Sequence, residues 1–393
     1  MPSTSSSSKS FGAFRSALGF GADQNRVHFE DVNSNPKSQL NRELERFQEL
    51  VSSQFHVLSD SSTDEFLSIE WMSKLLDAFI TCQDDFKLIL LNNADAFSKP
   101  PLDKQVTEFF DRSIKALDIC NAVRDGIEKV RLWRKHLEIV SIAFDSKQRN
   151  VMSEGQFRRA RKSLTDLAIV MLDDHKETGS IFSNRNRSFG RPNKGKDSNH
   201  QRKQGHAKSL SWSVSNSWSA SKQLQSMANS LVPPRMGEIS QHNGLANCVF
   251  TMGFVLMFVL WTVVAAIPCQ DRGLFNFSVP KQFSWSNALW LLHTRVMDES
   301  KKRERKNSPG LLKEIYMMEK SINLMSDLID SAQQFPLTEE QQKEVKDGVH
   351  ELNLVCSSCK NGLDTLDRQL REVFRKIMHC RTEGLGTLSV AQS

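Results

Sequence analysis

Two cysteines in the C-terminal part of the chain have a spacing that could support metal or redox chemistry. Cys356 and Cys359 are separated by two residues, as in half of a zinc site or in a thioredoxin-like motif. No second Cys/His pair follows at zinc-finger spacing, because His379 and Cys380 are adjacent, and no βαβ pattern surrounds the pair. Both cysteines also occupy apolar positions of a predicted helix. We therefore predict that they pack as small hydrophobes and hold no metal.

Paired carboxylates are the other arrangement that could support catalysis. Asp84-Asp85 and Asp173-Asp174 lie at the polar edges of predicted helices, where solvation is the simple explanation. The chain contains no Walker loop, Gly-rich dinucleotide turn, HExxH, GxSxG or kinase signature, and its histidines are scattered. We therefore expect a protein that is not an enzyme, with no catalytic residues, no metal site and no cofactor.

The longest apolar segment of the chain runs from 245 to 267 and carries no charge. Its length exceeds the roughly 20 apolar residues that cross a bilayer core, which predicts a transmembrane helix. The alternative is a helix buried in the core of a soluble bundle. The residues that we assign to this candidate membrane segment are Leu245, Val255, Phe258, Trp261 and Ile267.

Charge on the two sides of this segment indicates its orientation. Residues 178–237 contain ten Lys or Arg and one acid, whereas Asp271, Arg272 and Lys281 are the only charges between the segment and residue 287. The positive-inside rule then places the N-terminal half in the cytosol. We expect a membrane protein, in the single-pass case with this orientation, and the alternative location is the cytosol.

Two groups of basic residues are candidate contacts for anionic lipid or for a partner. Arg158, Arg159, Arg161 and Lys162 lie on about one and a half turns of a predicted helix, and the pair Arg202-Lys203 lies in the basic linker. The alternative is that both groups are simply solvated. Lipid headgroups are favoured over nucleic acid because the linker adjoins the apolar segment, so we expect membrane lipid as a partner and no nucleic acid.

Helical periodicity predicts an all-α fold with long helices in one or more elongated bundles. Apolar residues recur every three or four positions, and the alternation typical of strands is missing. We divide the chain into a disordered tail, an N-terminal helical region, a disordered basic Ser-rich linker, the apolar helix, a C-terminal helical region and a second tail. The boundaries are 1–35, 36–177, 178–240, 245–267, 284–380 and 381–393.

The last predicted helix has the most regular apolar pattern. From Val345 to Ile377 the apolar positions advance in alternating steps of four and three, which is a heptad seam. We expect this helix to form an antiparallel hairpin with the helix over 309–333. The N-terminal and C-terminal halves would share one bundle if the apolar helix is internal.

Several stretches together resemble the plant BYPASS-related proteins, including their ROH-type members. They are NAVRDGIEKVRLW at 121–133, EGQFRRARKSLTDLAIVMLDD at 154–174, SWSVSNSWSASKQLQSMANSLVPPR at 211–235, TVVAAIPCQDRGL at 262–274 and MDESKKRERKNSPGLLKEIYMMEKSINLMSDLID at 297–330. The resemblance implies a helical, plant-restricted protein without assigned enzymatic activity. It also implies a role in restraining a root-derived mobile signal that arrests shoot growth, or in secretion and cell-wall deposition through the exocyst.

The pattern and the resemblance lead to one expected function and three alternatives. We expect a non-catalytic, membrane-associated adaptor in plant development or secretion, with protein partners that include exocyst subunits. One alternative is a regulator of the root-derived mobile signal, and another is a soluble helical scaffold without membrane contact. A third is a binding protein or enzyme of carotenoid-related metabolism, whose pocket the apolar segment would line.

Overall fold

The computed structural model describes residues 36–145, 152–173, 219–235, 237, 244–269, 274–304, 308–332 and 334–392. Within these ranges the regular secondary structure is entirely helical, which confirms the predicted all-α fold with long helices. The N-terminal tail and most of the basic linker, including Arg202 and Lys203, lie outside the described residues.

The described ranges contain ten helices, joined by turns and irregular segments. They are α1 Pro36–Ser59, α2 Ile69–Asn92, α3 Ala94–Phe97, α4 Leu102–Phe144, α5 Glu154–Asp173, α6 Ala220–Asn229, α7 Leu245–Ala266, α8 Ser286–Glu304, α9 Lys313–Ser331 and α10 Glu339–Gln392. Helices α4 and α10 have 43 and 54 residues. At 1.5 Å per residue they are roughly 65 and 80 Å long, so they determine the length of the bundle.

Polar side chains begin several helices where the sequence predicts it. The Thr338 hydroxyl accepts a hydrogen bond from the Gln341 N–H, and the Gln341 side chain accepts one from the Thr338 N–H. The pattern Thr338-x-x-Gln341 by itself predicts a capping box, and this reciprocal pair forms it at the beginning of α10. At α5 the Gln156 side chain accepts a hydrogen bond from the N–H of Ser153. These contacts satisfy N–H groups that the first helical turn leaves free.

The heptad seam of α10 is the contact line that joins the two halves of the chain. All its members are buried except Val349, which is half-buried. The predicted hairpin with α9 is present, since Lys320 of α9 forms a salt bridge with Glu351 of α10. However, α10 also packs extensively on α4 and α2. The N-terminal and C-terminal helices therefore share one hydrophobic core.

Two segments are more ordered than we predicted. Helix α6 lies inside the stretch 178–240 that we assigned to a disordered linker, so the prediction is wrong for this part. Ala220, Leu224 and Met227 give α6 a short apolar face, and they are buried where it packs on α7 and α4. Likewise α10 continues to Gln392, through residues that we assigned to a C-terminal tail. Three apolar residues on one face are enough to hold α6 in place, because the helix on which it packs is itself apolar.

Candidate functional site: the apolar helix and its covers

Helix α7 occupies the centre of the bundle. It is the one helix in the described ranges that is long and apolar enough to cross a membrane, and the whole of its apolar window is buried. It contacts α1, α2, α4, α6 and α8. Leu245, Val255, Phe258, Trp261 and Ile267 are all buried. The five residues of the candidate membrane segment thus contact protein in this structure, as the buried-helix alternative expects.

A polar contact inside the core links α7 to its neighbours. The Gln48 amide of α1 donates a hydrogen bond to the Thr251 hydroxyl of α7 at 3.0 Å. The indole N–H of Trp285 donates to the Gln48 side-chain oxygen at 2.9 Å. A buried polar group is costly unless it is paired, so this triad favours one register of α1 and α7 relative to residue 285, just before α8.

The C-terminal end of α7 is capped by backbone from a distant part of the chain. The carbonyls of Ala265 and Ala266 accept hydrogen bonds from the N–H groups of Leu311 and Leu312, both at 3.1 Å. A helix leaves its last carbonyls without partners inside the helix. Here the segment before α9 supplies partners for two of those carbonyls, which stabilises the end of α7 inside the protein.

The same segment also connects to the beginning of α2. The N–H of Lys313 donates to the carbonyl of Leu67, and the Glu314 carboxylate accepts a hydrogen bond from the N–H of Ile69. Burial raises the pKa of the Glu314 carboxyl, although the hydrogen bond from Ile69 opposes the shift. The ends of α7, α2 and α9 therefore meet at one junction held by backbone groups.

One side of α7 is covered by an irregular segment, residues 274–285, which we call the strap. Phe277 of the strap packs edge-on against Trp261 with ring centroids 5.1 Å apart, and it also contacts Phe258. The indole N–H of Trp261 donates to the carbonyl of Phe275 at 3.2 Å. His293 of α8 stacks on Trp261, and burial lowers the pKa of this imidazole. The strap thus takes the place that a further helix or lipid would occupy.

A cavity of about 480 Å³ lies over α7, between α6 and the strap. Phe250, Phe254 and Met257 of α7 contribute to its lining. The other lining residues come from α6, the segment after it and the strap: Gln225, Ala228, Asn229, Leu231, Pro233, Phe275, Asn276, Phe277, Ser278, Pro280 and Gln282. The cavity is therefore the place where a small molecule could contact α7. A pocket lined by the apolar segment was part of one alternative, but the contributions of α6 and the strap were not predicted.

In the predicted basic cluster on α5, two residues form ion pairs within the protein and two have exposed side chains. Arg158 pairs with Glu154 at 2.9 Å in its own helix, and Arg161 reaches Asp330 of α9 at 3.1 Å. Arg159 and Lys162 are exposed. Both ion pairs are exposed to solvent, and exposed pairs are weak. An anionic ligand can therefore compete with Glu154 and Asp330 for Arg158 and Arg161. The arrangement offers four cations on one edge of the bundle.

The cysteine pair lies in the core of α10. Cys356 and Cys359 are both buried, as the heptad seam predicts. Burial raises the pKa of the Cys356 thiol to about 11 and that of Cys359 to about 12. Both thiols are therefore protonated at neutral pH and are poor nucleophiles and metal ligands. In the described part of the chain, no group of three His, Cys, Asp or Glu side chains could hold a metal ion.

Helix α8 exposes two large apolar side chains that sequence reasoning missed. Trp290 is 55% exposed and Leu291 is 37% exposed. The signal was available, because Leu289, Leu292 and Val296 form the buried face of α8 and leave positions 290 and 291 outside it. Exposed Trp is unusual and is a residue type that dominates binding energy in protein interfaces.

Helix α8 packs beside α1, which holds it in place. Ser52 donates a hydrogen bond to the carbonyl of Ser284 just before α8, and Arg295 of α8 donates to that of Ser59. We call Trp290 and Leu291 the α8 surface.

Comparison with known proteins agrees with the sequence resemblance. The family model for Protein ROH1-like matches residues 2–388. Protein ROH1D of Arabidopsis thaliana is 49% identical over 389 residues, which cover 97% of this chain and 96% of the relative. Protein ROH1A of the same plant is 35% identical over 399 residues, which cover 93% of this chain and 94% of the relative.

A more distant relative comes from rice. UPF0496 protein 4 of Oryza sativa subsp. japonica is 21% identical over 293 residues, which cover 74% of this chain and 55% of the relative. No solved structure matches the chain. None of the relatives' names carries an enzymatic activity. The length of the family match and the identity to both Arabidopsis proteins establish that the chain belongs to the ROH1-like family.

Proposed function

We propose that this chain is a non-catalytic helical adaptor that binds a protein partner through the α8 surface, in plant development or secretion. The observation that carries the proposal is the exposure of Trp290 beside Leu291 on a helix whose other face is anchored in the core. A rigidly supported exposed aromatic is the usual anchor of a protein interface. The resemblance to ROH-type proteins makes exocyst subunits the first partners to test.

The described residues favour binding over catalysis. All seven cysteines are buried, so none presents a reactive thiol at the surface. The acidic pair Asp84-Asp85 has ordinary structural partners, since Asp84 binds Lys376 and Asp85 binds Arg46. These contacts connect α2 with α10 and with α1, which accounts for both carboxylates as structural groups. The side chains of Asp173-Asp174 lie outside the described residues.

Replacing Trp290 by alanine should weaken binding of an exocyst subunit by at least about tenfold, because an interface anchor contributes roughly 2 kcal/mol or more. The measurement is the affinity of the purified full chain for each recombinant exocyst subunit. The matched control is Leu354→Ala on α10, where the side chain is 60% exposed and lies outside the α8 surface. Equal affinity of wild type and Trp290→Ala for every subunit that binds would contradict the proposal.

We also propose that membrane contact is peripheral and electrostatic. Helix α7 is enclosed by five helices and its last carbonyls are capped, so lipid is not needed to cover it. Arg159 and Lys162 are exposed on α5, and the predicted contacts Arg202 and Lys203 lie in the basic linker that follows α5. Each basic residue near an anionic surface contributes about 1 kcal/mol.

Alkaline carbonate treatment of plant microsomes should release the full-length tagged chain into the supernatant, because this treatment removes peripheral proteins and leaves spanning helices in the bilayer. A single-pass membrane protein followed in the same extract is the control for retention. Protease protection of a C-terminal tag gives a second readout. A chain that stays in the pellet with a protected tag would show that α7 spans the bilayer, and the peripheral proposal would then be wrong.

A further inference from the structure

The cavity over α7 lies where the cover of this helix is thinnest. Elsewhere α7 is packed against the long helices α1, α2 and α4 and against α8. On the remaining side its cover is the ten-residue helix α6 and the irregular strap, and the cavity separates the two. Its volume of about 480 Å³ falls within the roughly 300–1,000 Å³ of small-molecule pockets.

The walls of the cavity have two chemical characters. Its base is apolar and held in place, because Phe250, Phe254 and Met257 belong to the buried helix α7. Phe250 stacks on Phe283, and Phe254 stacks on Trp285, so neither ring is free to fill the space. A rigid aromatic base of this kind suits a flat or aliphatic hydrocarbon body.

The rim of the cavity is polar and uncharged. It carries amides and one hydroxyl, which are Gln225, Asn229, Asn276, Ser278 and Gln282. None of these side chains forms a hydrogen bond with another residue in the described ranges, so their donors and acceptors are available. Among the residues that the structure describes, no lysine, arginine, aspartate or glutamate lines the cavity. An ionic group placed on its apolar base would lose its hydration without gaining a partner of opposite charge from these residues.

We propose that this cavity binds a neutral amphiphile. Its hydrocarbon body lies on Phe250, Phe254 and Met257, and one uncharged polar group, such as a hydroxyl or a carbonyl, bonds to the amides of the rim. Binding would also join α6 to the strap, since each contributes one wall. The cavity and the α8 surface are built from different residues, so ligand and protein partner can be tested separately.

The test compares two dyes with the same aromatic body and different charge. N-phenyl-1-naphthylamine is neutral, and 1-anilinonaphthalene-8-sulfonate carries a sulfonate. The purified full chain is titrated with each dye and fluorescence is recorded. We expect saturable binding of the neutral dye, at least about tenfold tighter than binding of the anionic dye, because the anion must be desolvated without a counter-charge. Absence of neutral-dye binding, or equal affinity for both dyes, would overturn the proposal.

Two substitutions then locate the bound dye. Ala228→Phe fills the cavity from α6, and Ser278→Phe fills it from the strap, so each should weaken neutral-dye binding by about tenfold or more through loss of free volume. The matched control is Ser226→Phe, an exposed position of α6 outside the cavity lining, which should bind the dye as wild type does. Thermal unfolding confirms that each variant is folded. Unchanged affinity in both filled variants would place the dye elsewhere and overturn the proposal.

Discussion

Replacing Trp261 by alanine is expected to lower the free energy of unfolding by about 3–5 kcal/mol, the usual cost of removing a buried large aromatic side chain. Trp261 is 1% exposed and its indole N–H donates to the carbonyl of Phe275. Its ring contacts Phe277 of the strap and His293 of α8. Truncation therefore opens a cavity, leaves the carbonyl of Phe275 without its donor and removes one of the ring contacts that hold the strap on α7.

Trp290 provides the matched control for this prediction. It is the same residue type, yet it is 55% exposed on α8, so Trp290→Ala should cost less than about 1 kcal/mol. Urea unfolding of the full chain, followed by far-UV circular dichroism, gives both values. If the two substitutions had equal effects, α7 would not be packed beneath the strap as the structure shows.

Replacing Gly126 by alanine is expected to destabilise the protein by about 1–3 kcal/mol, although alanine is intrinsically the better helix former by roughly 0.5–1 kcal/mol. Gly126 lies in the middle of α4, where α4 crosses the end of α7. A Cβ atom there would lie 2.6 Å from Cγ2 of Ile267 and 2.9 Å from the carbonyl oxygen of Pro268. The second neighbour is backbone and cannot rotate away, so α4 and α7 must separate.

Gly155 is the control for the effect of helix propensity alone. It lies in the first turn of α5, and no heavy atom would come within 4 Å of a Cβ atom added there. Gly155→Ala should therefore be neutral or stabilise the protein by up to about 1 kcal/mol. The midpoint of thermal unfolding should fall for Gly126→Ala and should stay the same or rise for Gly155→Ala. A stabilising effect of Gly126→Ala would show that α4 does not approach α7 this closely.

The periodicity of the sequence was sufficient to predict most helices and the burial of the cysteines. The heptad seam of α10 placed Cys356 and Cys359 inside the core, where the structure has them. The Thr338–Gln341 capping box marked the beginning of α10 correctly. These features depend on residues close to each other along one helix. Interactions between residues near each other in the chain determine these features, so they can be predicted from the amino-acid sequence.

The basic cluster on α5 shows where such local prediction ends. Its helix and its exposure follow from sequence, but the pairing of Arg161 with Asp330 joins residues far apart in the chain. The same holds for Gln48, Thr251 and Trp285, which meet in the core from three separate elements. No spacing rule connects these residues, because only the packed bundle brings them together.

The sequence alone determined that residues 245–267 form an uncharged apolar helix, and only the tertiary structure decided what covers it. High hydropathy predicts that a helix is shielded from water, and either lipid or apolar protein side chains can provide that shield. In the bundle, α1, α2, α4, α6, α8 and the strap supply the cover, and the N–H groups of Leu311 and Leu312 cap its last carbonyls. Those partners come from distant positions, so their complementarity to α7 becomes visible only once the chain is folded.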